Sequence, residues 1–146
     1  MRLTIKTNLA MRTLMFCAVN AGRVVRKAEV ADGCNASEAH LGVVINQLGQ
    51  NGFIETIRGR GGGIRLNKAP EDISVGQVFR VFESGVPFAE CFDKARNACP
   101  ISQSCRLKSL LGTALGAFYE ELDKVTLKDL VEGNTGLEKA LELEAV

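Results

Sequence analysis

Gly33-Cys34-Asn35-Ala36-Ser37-Glu38-Ala39-His40-Leu41-Gly42-Val43-Val44-Ile45-Asn46-Gln47-Leu48 is the stretch on which the fold turns. Ser37 is a helix N-cap residue. Leu41, Val44, Ile45 and Leu48 follow at i, i+3, i+4 and i+7, the stripe of a helix with one buried face that runs towards Gln50. Just upstream, a short helix over Lys27 to Asp32 closes at Gly33. Two helices joined by the tight Gly33-Cys34-Asn35-Ala36 turn make a helix-turn-helix. Further back, Leu9, Ala10, Leu14, Phe16, Cys17 and Ala18 fall at helical spacing between Thr7 and Ala21, and Asn20-Ala21-Gly22 ends that helix.

Downstream, Phe53-Ile54-Glu55-Thr56-Ile57 and Ile64-Arg65-Leu66 read as the strands of a β-hairpin around Arg58-Gly59-Arg60-Gly61-Gly62-Gly63. Glycines allow close backbone approach, and arginines pair bidentately with phosphates or enter a narrow minor groove, so this loop has the chemistry of a wing. Ala69-Pro70-Glu71-Asp72 breaks the pattern. Ser74 then caps a helix to about Glu83 with Val75, Val78, Phe79 and Phe82 on its apolar side, and Gly85 and Pro87 end it. From Phe88 to Ser104 there is little periodicity, which is long for a structureless loop in a compact domain and calls for something that orders it. Arg106 to Asp123 is helical again, with apolar residues on more than one side. Such a helix needs two partners, its own domain and a second copy of the chain. A short helix over Leu127 to Glu132 follows Thr126 as N-cap, and the tail from Leu137 is expected to be only partly ordered.

The whole reads as a mainly α fold with a small β-hairpin, a winged helix-turn-helix domain plus a long dimerisation helix. Residues 1–84 form the expected DNA-binding domain, 85–105 a connecting loop, and 106–146 the dimerisation helix and C-terminal tail. With 146 residues and 46% hydrophobic composition the chain is long enough to bury a real core. No apolar run approaches the ~20 residues that cross a bilayer, and Met1-Arg2-Leu3-Thr4 lacks the layout of a signal peptide, so a cytoplasmic protein without membrane contact is expected. Net charge is +1, but residues 1–70 hold ten Lys/Arg against four Asp/Glu and residues 71–146 eight against thirteen. A basic N-terminal half suits a polyanion. One histidine, with no nucleophile–base arrangement, argues against an enzyme, and the Gly59 to Gly63 run sits in a hairpin rather than ahead of a helix as a nucleotide loop would.

Five cysteines is an odd number, which speaks against a disulfide framework. Cys91, Cys99 and Cys105 have the spacing C-x7-C-x5-C within a polar segment. No CxxC pair and no nearby histidine favour zinc, whereas soft thiolate donors suit iron-sulfur clusters. The bland reading makes them small hydrophobes or reactive thiols. Cys17, on the apolar side of the first helix, and Cys34, in the helix-turn-helix turn, are expected to be buried without ligation.

Over nearly its whole length the sequence resembles the IscR/NsrR/RirA group of bacterial iron-sulfur winged-helix regulators. The resemblance is carried by Met1-Arg2-Leu3-Thr4 with Thr7, by Ile45-Asn46-Gln47-Leu48 through Gly52-Phe53, and by the wing from Arg58 to Leu66. It continues in Ile73-Ser74-Val75-Gly76, Glu90-Cys91-Phe92, Cys99-Pro100-Ile101, Cys105-Arg106-Leu107 and Thr126-Leu127 to Val131. Val44 to Leu48 and Asp129-Leu130-Val131-Glu132-Gly133-Asn134 look most like the nitric-oxide-sensing NsrR branch. The wider cysteine spacing and Asn8 look more like the iron-responsive RirA branch. IscR-like members have a histidine three residues beyond the third cysteine, where this chain has Lys108.

The resemblance implies a homodimeric DNA-binding repressor with an iron-sulfur cluster on Cys91, Cys99 and Cys105, 4Fe-4S in preference to 2Fe-2S. It implies nitric oxide as the signal, nitrosylation of the cluster releasing the cysteines and then the DNA. An iron-responsive regulator is the alternative. The non-cysteine ligand is an N-terminal aspartate of the partner subunit in NsrR-like proteins; the matching position here is Asn8. Asn8, Glu90, Asp93, solvent or a small thiol stay open for that place. A dimer sets two third helices in successive major grooves of a palindromic operator, with Ser37, Glu38, His40 and Asn46 as contacts and Arg58, Arg60 and Arg65 in the wing. From another class, a redox or cluster-carrier protein that does not bind DNA would leave the Arg/Gly wing and the basic half without a purpose.

Overall fold

Thr4 opens the first helix, its Oγ1 accepting from the Thr7 N–H at 3.3 Å. The computed structural model describes residues 3–144, so Met1 and Arg2 of the N-terminal motif, and the last two residues of the tail, lie outside it. Helix α1 (Ile5–Val19) therefore begins half a turn earlier than the apolar spacing suggested and ends at the Asn20 cap. α2 (Lys27–Gly33) and α3 (Glu38–Gln50) follow as expected. Ser37 Oγ accepts from the His40 N–H at 3.2 Å. Asn35, at φ 50, takes the left-handed conformation that the tight turn requires and that Asn tolerates.

β1 (Ile54–Ile57) and β2 (Gly63–Leu66) pair antiparallel, with Glu55 opposite Arg65. α4 (Val75–Glu83) is capped by Ser74, α5 (Arg106–Asp123) by Cys105, α6 (Leu127–Val131) by Thr126 and α7 (Thr135–Leu141) by Asn134. α1 is the central element and packs against α3, α4, α6 and α7. Phe16, Leu14, Leu41, Leu48, Phe53, Ile54, Ile73 and Leu127 fill the core beneath it.

Two isolated bridges tie distant segments together. Val25 and Ile64 exchange backbone hydrogen bonds at 2.9 and 2.8 Å, which fixes the start of α2 to the hairpin. The Val75 N–H donates to Val125 O and the Leu127 N–H to Ile73 O, both at 2.9 Å, which joins the entries of α4 and α6.

The C-terminal segment corrects the expectation of a partly ordered tail. Leu137, Leu141 and Leu143 pack against the core, and the buried Asn20 amide holds the chain there. Its Nδ2 donates to Phe16 O and Leu141 O at 2.9 Å each, and its Oδ1 accepts from the Leu143 N–H at 2.9 Å. The tail docks because one buried amide meets its backbone and three leucines meet the domain. Asn20→Ala leaves those groups unpaired and costs about 1–3 kcal/mol. Urea unfolding reads the loss, and faster exchange of the Leu143 amide locates it.

α5 shows one half-buried side, packed on α4, and one open side. Phe118 meets Phe79 of α4 with ring centroids 6.2 Å apart, and Arg80 pairs bidentately with Asp123 while lying 4.8 Å over the Tyr119 ring. That pair holds the Asp123 carboxyl below its ordinary range. On the open side Leu107 and Leu110 are 59% and 64% exposed.

Candidate nucleic-acid interface and cysteine loop

Ser37, Glu38, His40 and Asn46 are all exposed at the cap and along α3, whose buried side carries Leu41, Val44 and Leu48. At the hairpin tip Gly59 and Gly61 take φ 92 and 77, and Gly62 N–H donates to Gly59 O at 3.0 Å, so the loop turns tightly and points its arginines outwards. Arg58 and Arg60 are exposed, and among the described residues no carboxylate pairs with either. Arg65 differs: its charge is matched across the hairpin by Glu55.

The structure adds Arg26 and Lys27, both exposed at the start of α2. The Val25–Ile64 bridge sets them beside the hairpin, and Lys27 Nζ comes within 3.9 Å of where a Cβ on Gly42 of α3 would stand. They lie between the helix and the wing, and nothing local in the sequence says that Val25 pairs with Ile64. Arg12, on α1, donates to Cys34 O at 3.0 Å and staples the helix-turn-helix turn to the central helix.

Asn8 is exposed on α1 and shares a shallow depression with Arg12, Asn35, Ser37 and His40. None of the three loop cysteines borders it, so a single chain does not bring Asn8 to them.

The segment between α4 and α5 is irregular except for a turn of 3-10 helix at Glu90–Phe92 that carries Cys91. Phe92 sets its ring against α5, 3.7 Å from where a Cβ on Gly112 would stand, and meets Phe88 edge-on at 6.2 Å. The rest is stapled by its own polar side chains. Glu90 Oε1 accepts from the Ala98 N–H at 2.9 Å, Asp93 Oδ1 from Ala95 N–H at 3.0 Å, and Asn97 Oδ1 from Cys99 N–H at 3.0 Å. Glu90 and Asp93 are thus engaged with loop amides. Cys105 Sγ accepts from the Lys108 N–H at 3.4 Å and starts α5.

Cys91, Cys99 and Cys105 are free and half-buried. Among the described residues no group of three His, Cys, Asp or Glu side chains stands close enough together to hold a metal ion. The donor set fits an iron-sulfur cluster by its chemistry: three thiols on one segment, no histidine beside them, and no disulfide to consume them. Cys17 and Cys34 are buried, as expected. Burial, with a smaller contribution from nearby Cys34, pushes the Cys17 thiol up to about 12, and burial also raises Cys34 against the opposing Arg12 charge. Both belong to the hydrophobic core, which none of the three loop cysteines joins.

A helix-turn-helix with exposed polar residues on its second helix, a glycine-arginine wing and a basic shoulder defines a winged-helix DNA-binding regulator. Residues 3–133 match the model of the Rrf2 family, described as an iron-dependent transcriptional regulator. The chain is 44% identical over 145 residues to the HTH-type transcriptional regulator NsrR of Bacillus subtilis (strain 168), covering 99% of each chain. It is 40% identical to protein aau3 of Rhizobium meliloti (strain 1021), covering 99% of this chain and 94% of that one. In fold it is similar to an IscR from T. potens, with a TM-score of 0.70 at 24% identity over 99% of this chain and 94% of the other. The chain belongs to the Rrf2 family of transcriptional regulators, and it is a regulator rather than an enzyme. No helix among the described residues is long and apolar enough to cross a membrane.

Proposed function

We propose that this chain is a homodimeric transcriptional repressor that grips a palindromic operator while Cys91, Cys99 and Cys105 hold an iron-sulfur cluster, and that nitric oxide relieves repression. The observation that carries the reading is the position of the three free thiols. They occupy the one segment that joins α4, at the edge of the DNA-reading domain, to α5, whose outer face is unpartnered. Similarity to regulators named NsrR at 44% and 42% identity favours nitric oxide among the possible signals. A bound cluster, of the 4Fe-4S type, supplies irons that react with nitric oxide.

The chain's own residues do the rest. Leu107, Leu110, Ala114 and Ala117 are exposed at i, i+3, i+7 and i+10 on α5, the seam of a two-helix packing, and a second copy of α5 is the occupant. Residues 85–105 then set how the two 1–84 domains stand relative to each other. Asn8 reaches the partner's cysteines only across this dimer. Ser37, Glu38, His40 and Asn46 read the major groove, while Arg58, Arg60, Arg26 and Lys27 hold phosphates or the minor groove.

Removing phosphate contacts lowers the salt slope of binding by about 0.9 per contact. Arg60→Ala lowers it by about one, and Arg26→Ala with Lys27→Ala by about two, at similar cost on every sequence tested. Arg65→Ala changes it least, because Glu55 already matches that charge.

The test is a joint absorbance and gel-shift titration with nitric oxide on protein purified without oxygen, with iron counted per chain and a palindromic duplex selected by the protein itself. Bleaching of the cluster in step with DNA release is expected. Release only on chelation or iron loss makes the chain an iron-responsive regulator, and colourless protein that binds tightly removes the cluster from the reading.

A further inference from the structure

α4 ends at Glu83, and the next residue begins the segment that carries the cysteines. Glu83 is half-buried, and one of its carboxylate oxygens accepts three hydrogen bonds from the start of α1. The donors are the Thr4 N–H at 2.9 Å, Thr4 Oγ1 at 3.2 Å and Thr7 Oγ1 at 2.5 Å. Thr7 is fully buried and Thr4 is the cap of α1, so the carboxylate closes the positive end of a 15-residue helix. Residues 84–88 are then exposed, which leaves Glu83 as the last side chain of α4 bonded to the DNA-reading domain before the loop.

The helix it caps leads to the DNA face. α1 packs on α3, and Arg12 holds the helix-turn-helix turn through Cys34 O at 3.0 Å. α1 also carries Asn8 one residue beyond Thr7, in the depression that Ser37 and His40 share. A displacement of the loop that withdraws Glu83 removes the acceptor of three donors at once, one of them the cap hydroxyl. Charge-assisted bonds of this kind are the strong ones.

We propose that Glu83 is the positioning residue through which the state of the cysteine segment is passed to α1 and so to α3. The proposal rests on the cluster-controlled repressor described above. It assigns to one carboxylate and two threonines the coupling between cluster occupancy and DNA affinity, not the affinity itself.

Glu83→Gln keeps the size and one carbonyl acceptor but removes the charge. Thr7→Val keeps the shape of the buried side chain and removes its donor, and Thr7→Ser restores the donor. Each full-length variant is purified without oxygen and divided into protein reconstituted with ferrous iron and sulfide and protein freed of iron. Both forms are titrated with the palindromic duplex selected by the wild-type protein.

The expected result is a cluster spectrum and iron content equal to wild type in all three variants. The ratio of loaded to iron-free affinity falls about tenfold in Glu83→Gln and Thr7→Val and stays near wild type in Thr7→Ser. In the iron-free protein, Glu83→Gln also speeds amide exchange over residues 4–8 while residues 75–82 keep their protection. An unchanged ratio in Glu83→Gln and Thr7→Val, with a large ratio in wild type, overturns the assignment of Glu83 alone. A wild-type ratio near one overturns the cluster-controlled reading, and this proposal with it.

Discussion

Cys91→Ala, Cys99→Ala and Cys105→Ala each yield a folded dimer that has lost its iron and binds its operator about a thousandfold more weakly, near the level of non-specific DNA. The fold survives because none of the three belongs to the core: all are half-buried in a segment held by Glu90, Asp93, Asn97 and Phe92 rather than by sulfur. Cys105→Ala also removes the Sγ acceptor at the start of α5, so it is the least stable of the three. Cys17→Ala is the control. That thiol is buried and pushed up to about 12, away from any ligating role, so iron content and DNA affinity stay at wild type while the emptied space costs about 1 kcal/mol. Iron per chain, visible absorbance, sedimentation and a gel shift separate these outcomes. Tight, specific binding by the three loop variants would sink the cluster-dependent repressor.

Gly63→Ala has the largest expected effect on the fold itself. A Cβ there falls inside contact distance of Val25 O and only 2.8 Å from the Val25 carbonyl carbon, both backbone atoms that cannot rotate away. The hairpin must part from the start of α2, which breaks the pair of hydrogen bonds between Val25 and Ile64. The loss is about 2–3 kcal/mol. DNA affinity falls as well, because Arg26 and Lys27 lose their position beside the wing. Gly49→Ala adds the same methyl in α3 where nothing lies within 4 Å, and it raises stability by about 0.5–1 kcal/mol. Opposite shifts of the urea midpoint at unchanged slope are the expected pair; two shifts of one sign would contradict the account of the Val25–Ile64 junction.

Much of the α framework was legible in advance because its signals are local. Ser37, Ser74 and Thr126 each stand before an apolar periodicity and each caps the helix it announces. α5 runs from Arg106 to Asp123, as its apolar pattern predicted. α1 was placed two residues late because Thr4 caps it before the first buried residue of the stripe. The tail was misjudged because its anchor is remote in sequence: a distant buried amide, Asn20, holds it.

The candidate site was legible in part. The wing arginines and the three cysteines stand out by composition and spacing, but Arg65 proved to be matched by Glu55, and Arg26 and Lys27 went unnoticed. Glu83 gave no signal at all: it is one acid among many until Thr4 and Thr7, 79 and 76 residues away, are folded against it.

Helix starts, the hairpin turn and the identity of the donor atoms depend on neighbours within a few residues, so the order of residues alone determined them. The meeting of Val25 with Ile64, Asn20 with Leu141 and Leu143, and Glu83 with Thr4 and Thr7 was decided only by the tertiary structure. Such contacts close long loops, and they form where packing of the whole core repays the chain entropy that closure costs; no local pattern records that sum.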